Sequence, residues 1–436
     1  MIVNGKHFPV IQTLGLPKGT PAFEEKRSAL FQAFWSKVPA EYLLPADVIK
    51  NPPIDVSKIP STCGLLTAQE IEITETHDCT SLAEAIATKK YTAVAVATAF
   101  GKRSIICHQL TCCLTQWFMD SAIEQAKALD DYLEKNGQTI GPLHGVPISI
   151  KEHMPMAGTF SSQGSFGSTV KDEKDSHLIG ILRDLGAVFY CKTNQPQAIM
   201  HLESDSHFGR VLNPFNIHLS AGGSTGGEAA LIAIDALSDP KFASFLEIKD
   251  FKPHGAKEAW SKIRRMYWPE GGQATKDAIA ASGEPILPLS DWIWKDAEPH
   301  GMLDAVAISD QRFERDAFRC EFADSWTEQD VDVVIGPAFV GPACHHDTSL
   351  YWTYTSLYNF VDYPGVVFPT PISAQAREDY APNYEKLSDE CGHVKKLWEE
   401  GGFEGAPINL QINARKYHDN DLFGALAVLR DVLGLE

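Results

Sequence analysis

The stretch GPLHGVPISIKE, residues 141–152, carries the strongest signal for both the fold and the chemistry of this chain. After the Gly141-Pro142 turn, the short apolar run at 146–150 predicts a buried strand that leads directly into Lys151. A lysine at that place is partly desolvated, which disfavours its ammonium form and lowers its pKa toward the range of a base. The alternative is a lysine at a strand end whose ammonium reaches solvent along its alkyl chain.

A second stretch, SAGGSTGGEAALIA at 220–233, places two hydroxyls among glycines. The hydroxyls belong to Ser224 and Thr225, and the glycines are Gly222, Gly223, Gly226 and Gly227. Glycine permits backbone conformations and close ligand contacts that other residues exclude, and the following EAALI indicates a helix start with free N–H groups. Taken alone, this loop could equally bind phosphate. It lacks the Gly-Lys-Ser/Thr ending of a phosphate loop, so nucleotide binding is the less favoured interpretation.

Helix and strand signals alternate outward from these two stretches. Apolar spacing predicts helices at 22–36, 81–89, 117–133, 176–185 and 419–433. Short apolar or alternating runs predict strands at 70–73, 146–150, 187–191 and 331–335. This alternation predicts an α/β fold.

Composition describes an ordinary globular protein and excludes several partners. The 436 residues are 44% hydrophobic, and a formal net charge of −19 opposes contact with nucleic acid or an anionic membrane surface. We find neither a signal peptide pattern nor an apolar run long enough to span a bilayer. The nine cysteines lack the C-x2-C pairs of a zinc site, so we expect free thiols and a cytoplasmic protein.

Both stretches, with further motifs in consistent order, resemble the amidase signature family and specifically its acetamidase-like branch. The additional motifs are AFGKR (99–103), HQLT (108–111), KTNQPQ (192–197), NPFN (213–216), DVVIGPA (332–338), NFVDYP (359–364) and GAPINLQ (405–411). The resemblance implies α/β/α layers around a mixed central sheet, in a single domain over 1–436. Its N-terminal helical and extended region covers about 1–90, and its core covers about 91–436. The implied reaction is hydrolysis of a small carboxamide C–N bond without cofactor or metal.

In that family a nucleophilic serine attacks the amide, a second serine held by a cis peptide relays the proton, and a buried lysine is the base. The resemblance places Lys151 at the base position and Ser224 at the relay position, within the loop formed by Gly222, Gly223, Thr225, Gly226 and Gly227. The nucleophile belongs to an Asp-x-Gly-Gly-Ser segment about two dozen residues later. Here residues 234–248 contain no glycine, and Gly-Gly-Ser occurs only at 222–224. On the order of a hundred family residues are missing after Ala233.

Three hypotheses follow from the missing segment. The sequence could omit a coding segment of an active amidase, which a longer transcript would reveal. The chain could be a pseudoenzyme that binds a carboxamide or a partner without turnover. Alternatively, Ser224 could attack the substrate itself, activated directly by Lys151. Loss of central strands would also leave part of the core sheet absent, so we expect exposed apolar surface and possible homo-oligomerisation.

Overall fold

The structure is a computed structural model that describes residues 1–225, 228–229, 249–295, 301–375, 380, 383–386 and 388–433. It divides into two compact units. The first unit comprises Met1–Asp235 with Thr275–Leu287, and the second comprises Ala236–Ala274 with Pro288–Glu436. The expected single amidase-like domain stays a prediction.

Helices cover much of both units. In the first part of the chain they are α1 (Pro21–Trp35), α2 (Ala46–Lys50), α3 (Ile59–Thr62), α4 (Ala68–Glu75), α5 (Cys79–Ala87), α6 (Ala93–Thr111), α7 (Met119–Asn136) and α8 (His177–Asp184), with 3-10 turns at Ala40–Tyr42 and Phe166–Ser168. Further along the chain they are α9 (Ala256–Tyr267), α10 (Gln273–Ser282), α11 (Pro288–Trp294), α12 (Ala305–Glu328), α13 (Thr353–Val361), α14 (Asp389–Glu400) and α15 (Asp419–Leu433).

The strands are short. Those of the first unit are β1 (Ile2–Val3), β2 (Lys6–His7), β3 (Leu114–Trp117), β4 (Pro147–Lys151), β5 (Phe160–Ser161), β6 (Val170–Lys171), β7 (Val188–Thr193), β8 (Asp205–Ser206), β9 (Gly209–Arg210), β10 (Leu212–Asn213) and β11 (Asn216–Ser220). Those of the second unit are β12 (Val333–Pro337), β13 (Gly365–Ser373) and β14 (Pro407–Ala414).

A mixed sheet of order β3-β7-β4 organises the first unit. Strand β7 runs antiparallel to β3 and parallel to β4, and every residue of β7 is buried. Helix α6 packs against this sheet through a cluster that includes Val96, Ile105, Val188 and Cys191. Because β4 lies beside the fully buried β7, its last residue, Lys151, is held at the edge of a rigid core. The predicted α/β fold around a mixed sheet is therefore confirmed.

The second unit has an antiparallel sheet of order β12-β14-β13. Helix α15 covers one face of this sheet, where Phe368, Ile412 and Leu422 are buried together. Helices α9, α12 and α13 form a second cluster around Phe318, Trp326 and further aromatic side chains. These two clusters are buried within the second unit, whereas Val367 and Ile372 on β13 are exposed.

Most predicted elements lie within a few residues of the observed ones. The helix predicted at 419–433 matches α15, and the strand predicted at 146–150 is β4 shifted by one residue. The strand predicted at 70–73 is wrong, because these residues belong to helix α4. Thr67 and Glu70 form a reciprocal capping box there, in which each side chain accepts from the other's backbone N–H, and this satisfies the first turn of the helix.

All nine cysteines are free thiols, as the sequence predicted. Cys107, Cys112, Cys113, Cys191 and Cys344 are buried. Within the described ranges, no helix has both the length and the apolar content needed to cross a bilayer.

Candidate active site

Lys151 is partly buried at the end of β4, and its ammonium points at the glycine-rich loop. Its Nζ donates to Ser224 Oγ at 2.7 Å and to Thr225 Oγ1 at 3.1 Å. Burial lowers the pKa of Lys151 to about 8. An amine and two hydroxyls at these distances suit proton transfer better than metal binding, since they present no carboxylate, imidazole or thiolate ligand.

The loop that carries Ser224 is held by its own glycines. Gly222 has a φ of +92°, which favours glycine, and its carbonyl accepts from Ser204 Oγ at 3.1 Å. Gly223 packs so closely on the backbone at 201–203 that a Cβ there would lie 2.4 Å from the His201 carbonyl oxygen. The peptide bond between Gly223 and Ser224 is cis. Gly226 and Gly227, the other two glycines of the predicted loop, lie outside the described residues.

Helical backbone resumes directly after the loop. Ala229 N–H donates to the Thr225 carbonyl at 3.0 Å, and Glu228 and Ala229 are helical. Glu228 and Ala229 agree with the predicted helix start, and the rest of the EAALI stretch, 230–232, lies outside the described residues. The carboxylate of Glu228, which the sequence analysis did not assign to the site, accepts from Ser149 Oγ. The sequence did carry a signal for Glu228, because this residue opens a helix directly after a stretch with four glycines and two hydroxyls.

A second lysine, Lys192, is completely buried in β7 behind the site. Its Nζ contacts Asp172 Oδ2 at 3.2 Å, and it donates to the carbonyl oxygens of Phe160 at 2.9 Å and Glu152 at 3.2 Å. Burial lowers the pKa of Lys192, and the Asp172 charge opposes that shift. Since Glu152 follows Lys151 directly, Lys192 fixes the backbone beside the site. The signal for it was a lysine within the apolar strand VFYCKT.

Buried Glu152 and half-buried His153 are joined by a polar link next to Lys151. Gln195 bridges them, because its Nε2 donates to Glu152 Oε2 at 2.7 Å and its Oε1 contacts His153 Nδ1 at 2.5 Å. Burial raises the pKa of Glu152. Burial also lowers the pKa of His153, and the nearby charges of Lys151 and Lys192 add to that effect. The hydrogen bonds of Gln195 therefore orient the chain just past Lys151.

Comparison with known protein sequences shows which family this chain belongs to. The model of the family described as Amidase matches residues 95–238 and 244–423. The chain belongs to the amidase family. It is similar to a Schizosaccharomyces pombe protein that carries an amidase name, with 30% identity over 505 residues, covering 88% of this chain and 93% of that protein. It is also similar to an acetamidase of Aspergillus oryzae, with 25% identity over 522 residues, covering 88% of this chain and 95% of that protein.

The chain is also similar to a solved structure of a fatty acid amide hydrolase. That structure has a TM-score of 0.84 and 25% sequence identity, and the match covers 95% of each chain. A bacterial aryl acylamidase of the amidase signature enzymes shares the fold, with a TM-score of 0.58 and 15% identity over 82% of this chain and 96% of the other. The resemblance to the amidase signature family is therefore confirmed by sequence and by fold.

The comparisons also bear on the missing segment. The 88% of this chain that aligns with the S. pombe protein corresponds to about 384 residues, so about 120 of the 505 aligned positions have no counterpart in this chain. The family match breaks between residues 238 and 244. That break falls inside the glycine-free stretch 234–248, where the family's nucleophile segment was expected.

Proposed function

We propose that this amidase hydrolyses the C–N bond of a small carboxamide, with Lys151 as the base and Ser224 as the hydroxyl that it deprotonates. The observation that supports this most strongly is the 2.7 Å contact between Lys151 Nζ and Ser224 Oγ. A pKa of about 8 leaves about one tenth of Lys151 neutral at pH 7, against about one part in three thousand at the ordinary value of 10.5. The neutral amine can accept a proton; the ammonium cannot.

Because the sequence lacks the family's nucleophile segment, Ser224 itself is the proposed nucleophile. Its Oγ attacks the amide carbon while its proton passes to Lys151 Nζ. The tetrahedral intermediate collapses, the C–N bond breaks, and the Lys151 ammonium protonates the leaving nitrogen to give ammonia or an amine. Water then attacks the acyl-serine ester and gives its proton to Lys151, which returns one to Ser224 as the carboxylic acid leaves.

Turnover by this route is expected to be slow. Removing the nucleophile of a hydrolytic triad costs on the order of 10⁶ in kcat, and each lost oxyanion donor costs about 10²–10³. A Ser–Lys pair recovers part of the first loss, because one hydroxyl and one base remain in contact. The ordinary family rate is therefore not expected from this chain.

The second candidate function is binding of a carboxamide without turnover. The sequence favours it through one observation, the absence of any Gly-Gly-Ser other than 222–224. A binding protein of this kind is stabilised by its ligand in proportion to RT ln(1 + [L]/Kd), which is about 2.7 kcal/mol at a hundredfold excess over Kd. Cleavage of the C–N bond distinguishes hydrolysis from binding without turnover.

The deciding experiment measures ammonia release from acetamide, propionamide and benzamide, together with the thermal unfolding midpoint in each amide. Hydrolysis predicts release that is abolished in Lys151→Ala and Ser224→Ala and retained in Lys90→Ala, an exposed lysine paired with Glu72. A raised midpoint without ammonia supports binding alone. Unchanged release in Ser224→Ala rules out the Ser–Lys mechanism.

We also propose a cytoplasmic location, which the nine free thiols support because they suit a reducing compartment.

We further propose that the protein forms a homo-oligomer. Exposed apolar side chains such as Val367 and Ile372 on β13 support it. Sedimentation of the purified protein as a monomer would refute the oligomer.

A further inference from the structure

Glu228 connects the loop of Ser224 to the strand of Lys151. Both of its carboxylate oxygens lie within hydrogen-bond distance of Ser149 Oγ, Oε1 at 2.8 Å and Oε2 at 2.7 Å. Thr193 also hydrogen-bonds to this carboxyl group. The two hydroxyls that hold Glu228 come from neighbouring strands, Ser149 from β4 and Thr193 from β7.

These two hydroxyls are the neighbours of Lys151 on one face of the sheet. Side chains two residues apart on a strand point to the same face, so Ser149 and Lys151 share a face of β4. Thr193 is paired directly with Lys151 in the parallel β4–β7 register. The Glu228 carboxylate is therefore attached to the sheet on both sides of the lysine.

In the chain, Glu228 lies four residues after Ser224. The Ala229 N–H donates to the Thr225 carbonyl at 3.0 Å, which ties the helical residues Glu228 and Ala229 to the residue beside Ser224. Movement of Glu228 away from the sheet consequently moves the loop. The carboxyl of Glu228 is also desolvated, which raises its pKa, so its position is retained only where hydroxyl donors compensate its burial.

We propose that Glu228 is the positioning residue that holds the Ser224 loop against β4 and so sets the distance between Lys151 Nζ and Ser224 Oγ. This inference rests on the proposed function for its catalytic meaning, whereas the contact it describes is present with or without turnover. Glu228 acts through Ser149 and Thr193 and does not touch Lys151 Nζ in the described contacts.

The test measures the reactivity of Lys151 and needs no substrate. The full chain is labelled with limiting acetic anhydride between pH 6 and 11, and the acetylated fraction of Lys151 is read by mass spectrometry against exposed lysines. In the wild type, we expect a midpoint near 8, the pKa that burial gives Lys151. Of the titratable groups nearby, His153 interacts electrostatically with Lys151, and Glu228 accepts from Ser149 two residues before Lys151, so the same titration is followed in variants of Glu228.

Two substitutions of Glu228 distinguish an effect on the position of the loop from an effect of the carboxylate charge. Glu228→Ala releases the loop and admits water to Lys151, so the midpoint moves up toward 10.5, by about one pH unit. Glu228→Gln keeps an acceptor for Ser149 and leaves the midpoint near 8. A downward move in both variants would mean that the carboxylate acts only through its charge, and would overturn the proposal, as would an unchanged midpoint in folded Glu228→Ala.

Two further variants keep the test decisive if Glu228→Ala fails to fold. Ser149→Ala removes only one hydroxyl from the same contact, and an upward move of the midpoint is expected, smaller than that of Glu228→Ala. Glu284→Ala is the matched control, since Glu284 is a buried carboxylate of the same unit that bonds Ser165 and Gln197 instead of β4. It should leave the Lys151 midpoint unchanged. A wild type with a midpoint near 8 and no ammonia release would refute the proposed function but not this inference.

Discussion

Substitution of Gly223 by alanine is predicted to disrupt the contact between Lys151 and Ser224 from one residue away. The added Cβ would lie 2.4 Å from the His201 carbonyl oxygen and 2.7 Å from both the Glu203 nitrogen and the Leu202 carbonyl carbon. All three obstacles are backbone atoms, which cannot rotate aside as a flexible side chain can. The backbone must therefore separate by at least about 0.6 Å to reach a tolerable 3.0 Å, and overpacking of this kind costs about 1–3 kcal/mol.

A displacement of about 0.6 Å is large enough to weaken the hydrogen bond between Lys151 and Ser224. The Lys151 Nζ to Ser224 Oγ distance of 2.7 Å would grow to about 3.3 Å if the loop moved directly away, at the limit of a useful hydrogen bond. A misplacement of about 1 Å can cost on the order of 10² in rate. We therefore expect Gly223→Ala to lower kcat by about tenfold to a hundredfold while the chain still folds.

The assay compares urea unfolding, followed by tryptophan fluorescence, with ammonia release and with the acetylation midpoint of Lys151. Gly180→Ala is the control, because Gly180 lies within α8 with no atom within 4 Å of an added Cβ. Alanine there should stabilise the helix by up to about 1 kcal/mol and leave the site unchanged. If Gly223→Ala had the same stability and the same Lys151 reactivity as the wild type, the added Cβ would not displace the loop and the prediction would be wrong.

Three other predictions follow from contacts of the first unit. Since Lys151 must be neutral and its pKa is about 8, kcat/KM should rise about tenfold from pH 7 to pH 9; a flat profile across that range contradicts a lysine base. Lys192→Met leaves Asp172 buried without its cation and should destabilise the chain by about 3–5 kcal/mol in urea, whereas Lys90→Met, from an exposed pair, should have a much smaller effect. Thr67→Ala removes the cap of α4 and should cost about 1 kcal/mol, with a cost near zero arguing against the capping box.

The sequence was most informative where local signals agreed. Strand β4 was predictable because a Gly-Pro turn precedes a short apolar run, and α15 because its apolar positions recur at helical spacing. The loop of Gly222 to Thr225 could be located from its composition alone. Its contact with Lys151, 73 residues earlier in the chain, followed only from the family resemblance.

Other features depend on hydrogen bonds and long-range contacts that the periodicity of apolar residues in the sequence does not reveal. The alternation at 70–73 reads as a strand, but the Thr67–Glu70 capping box supplies hydrogen bonds that a strand would not use, and the helix forms. The Ser149–Glu228 contact joins positions 79 residues apart, and Lys192 is buried where Asp172 and three further oxygen acceptors, from Glu152, Phe160 and Ser161, converge on it. Such contacts are properties of the folded chain.

The central claim is that Ser224, deprotonated by Lys151, attacks the amide carbon. The most direct test incubates the protein with a benzamide or anilide substrate, quenches in acid, and weighs the peptide that contains residues 220–225. We expect a mass increase of one acyl group on Ser224 in the wild type and none in Lys151→Ala. Release of ammonia or aniline with an acyl group on any other residue, or with the same yield on Ser224 in Lys151→Ala, would contradict this mechanism.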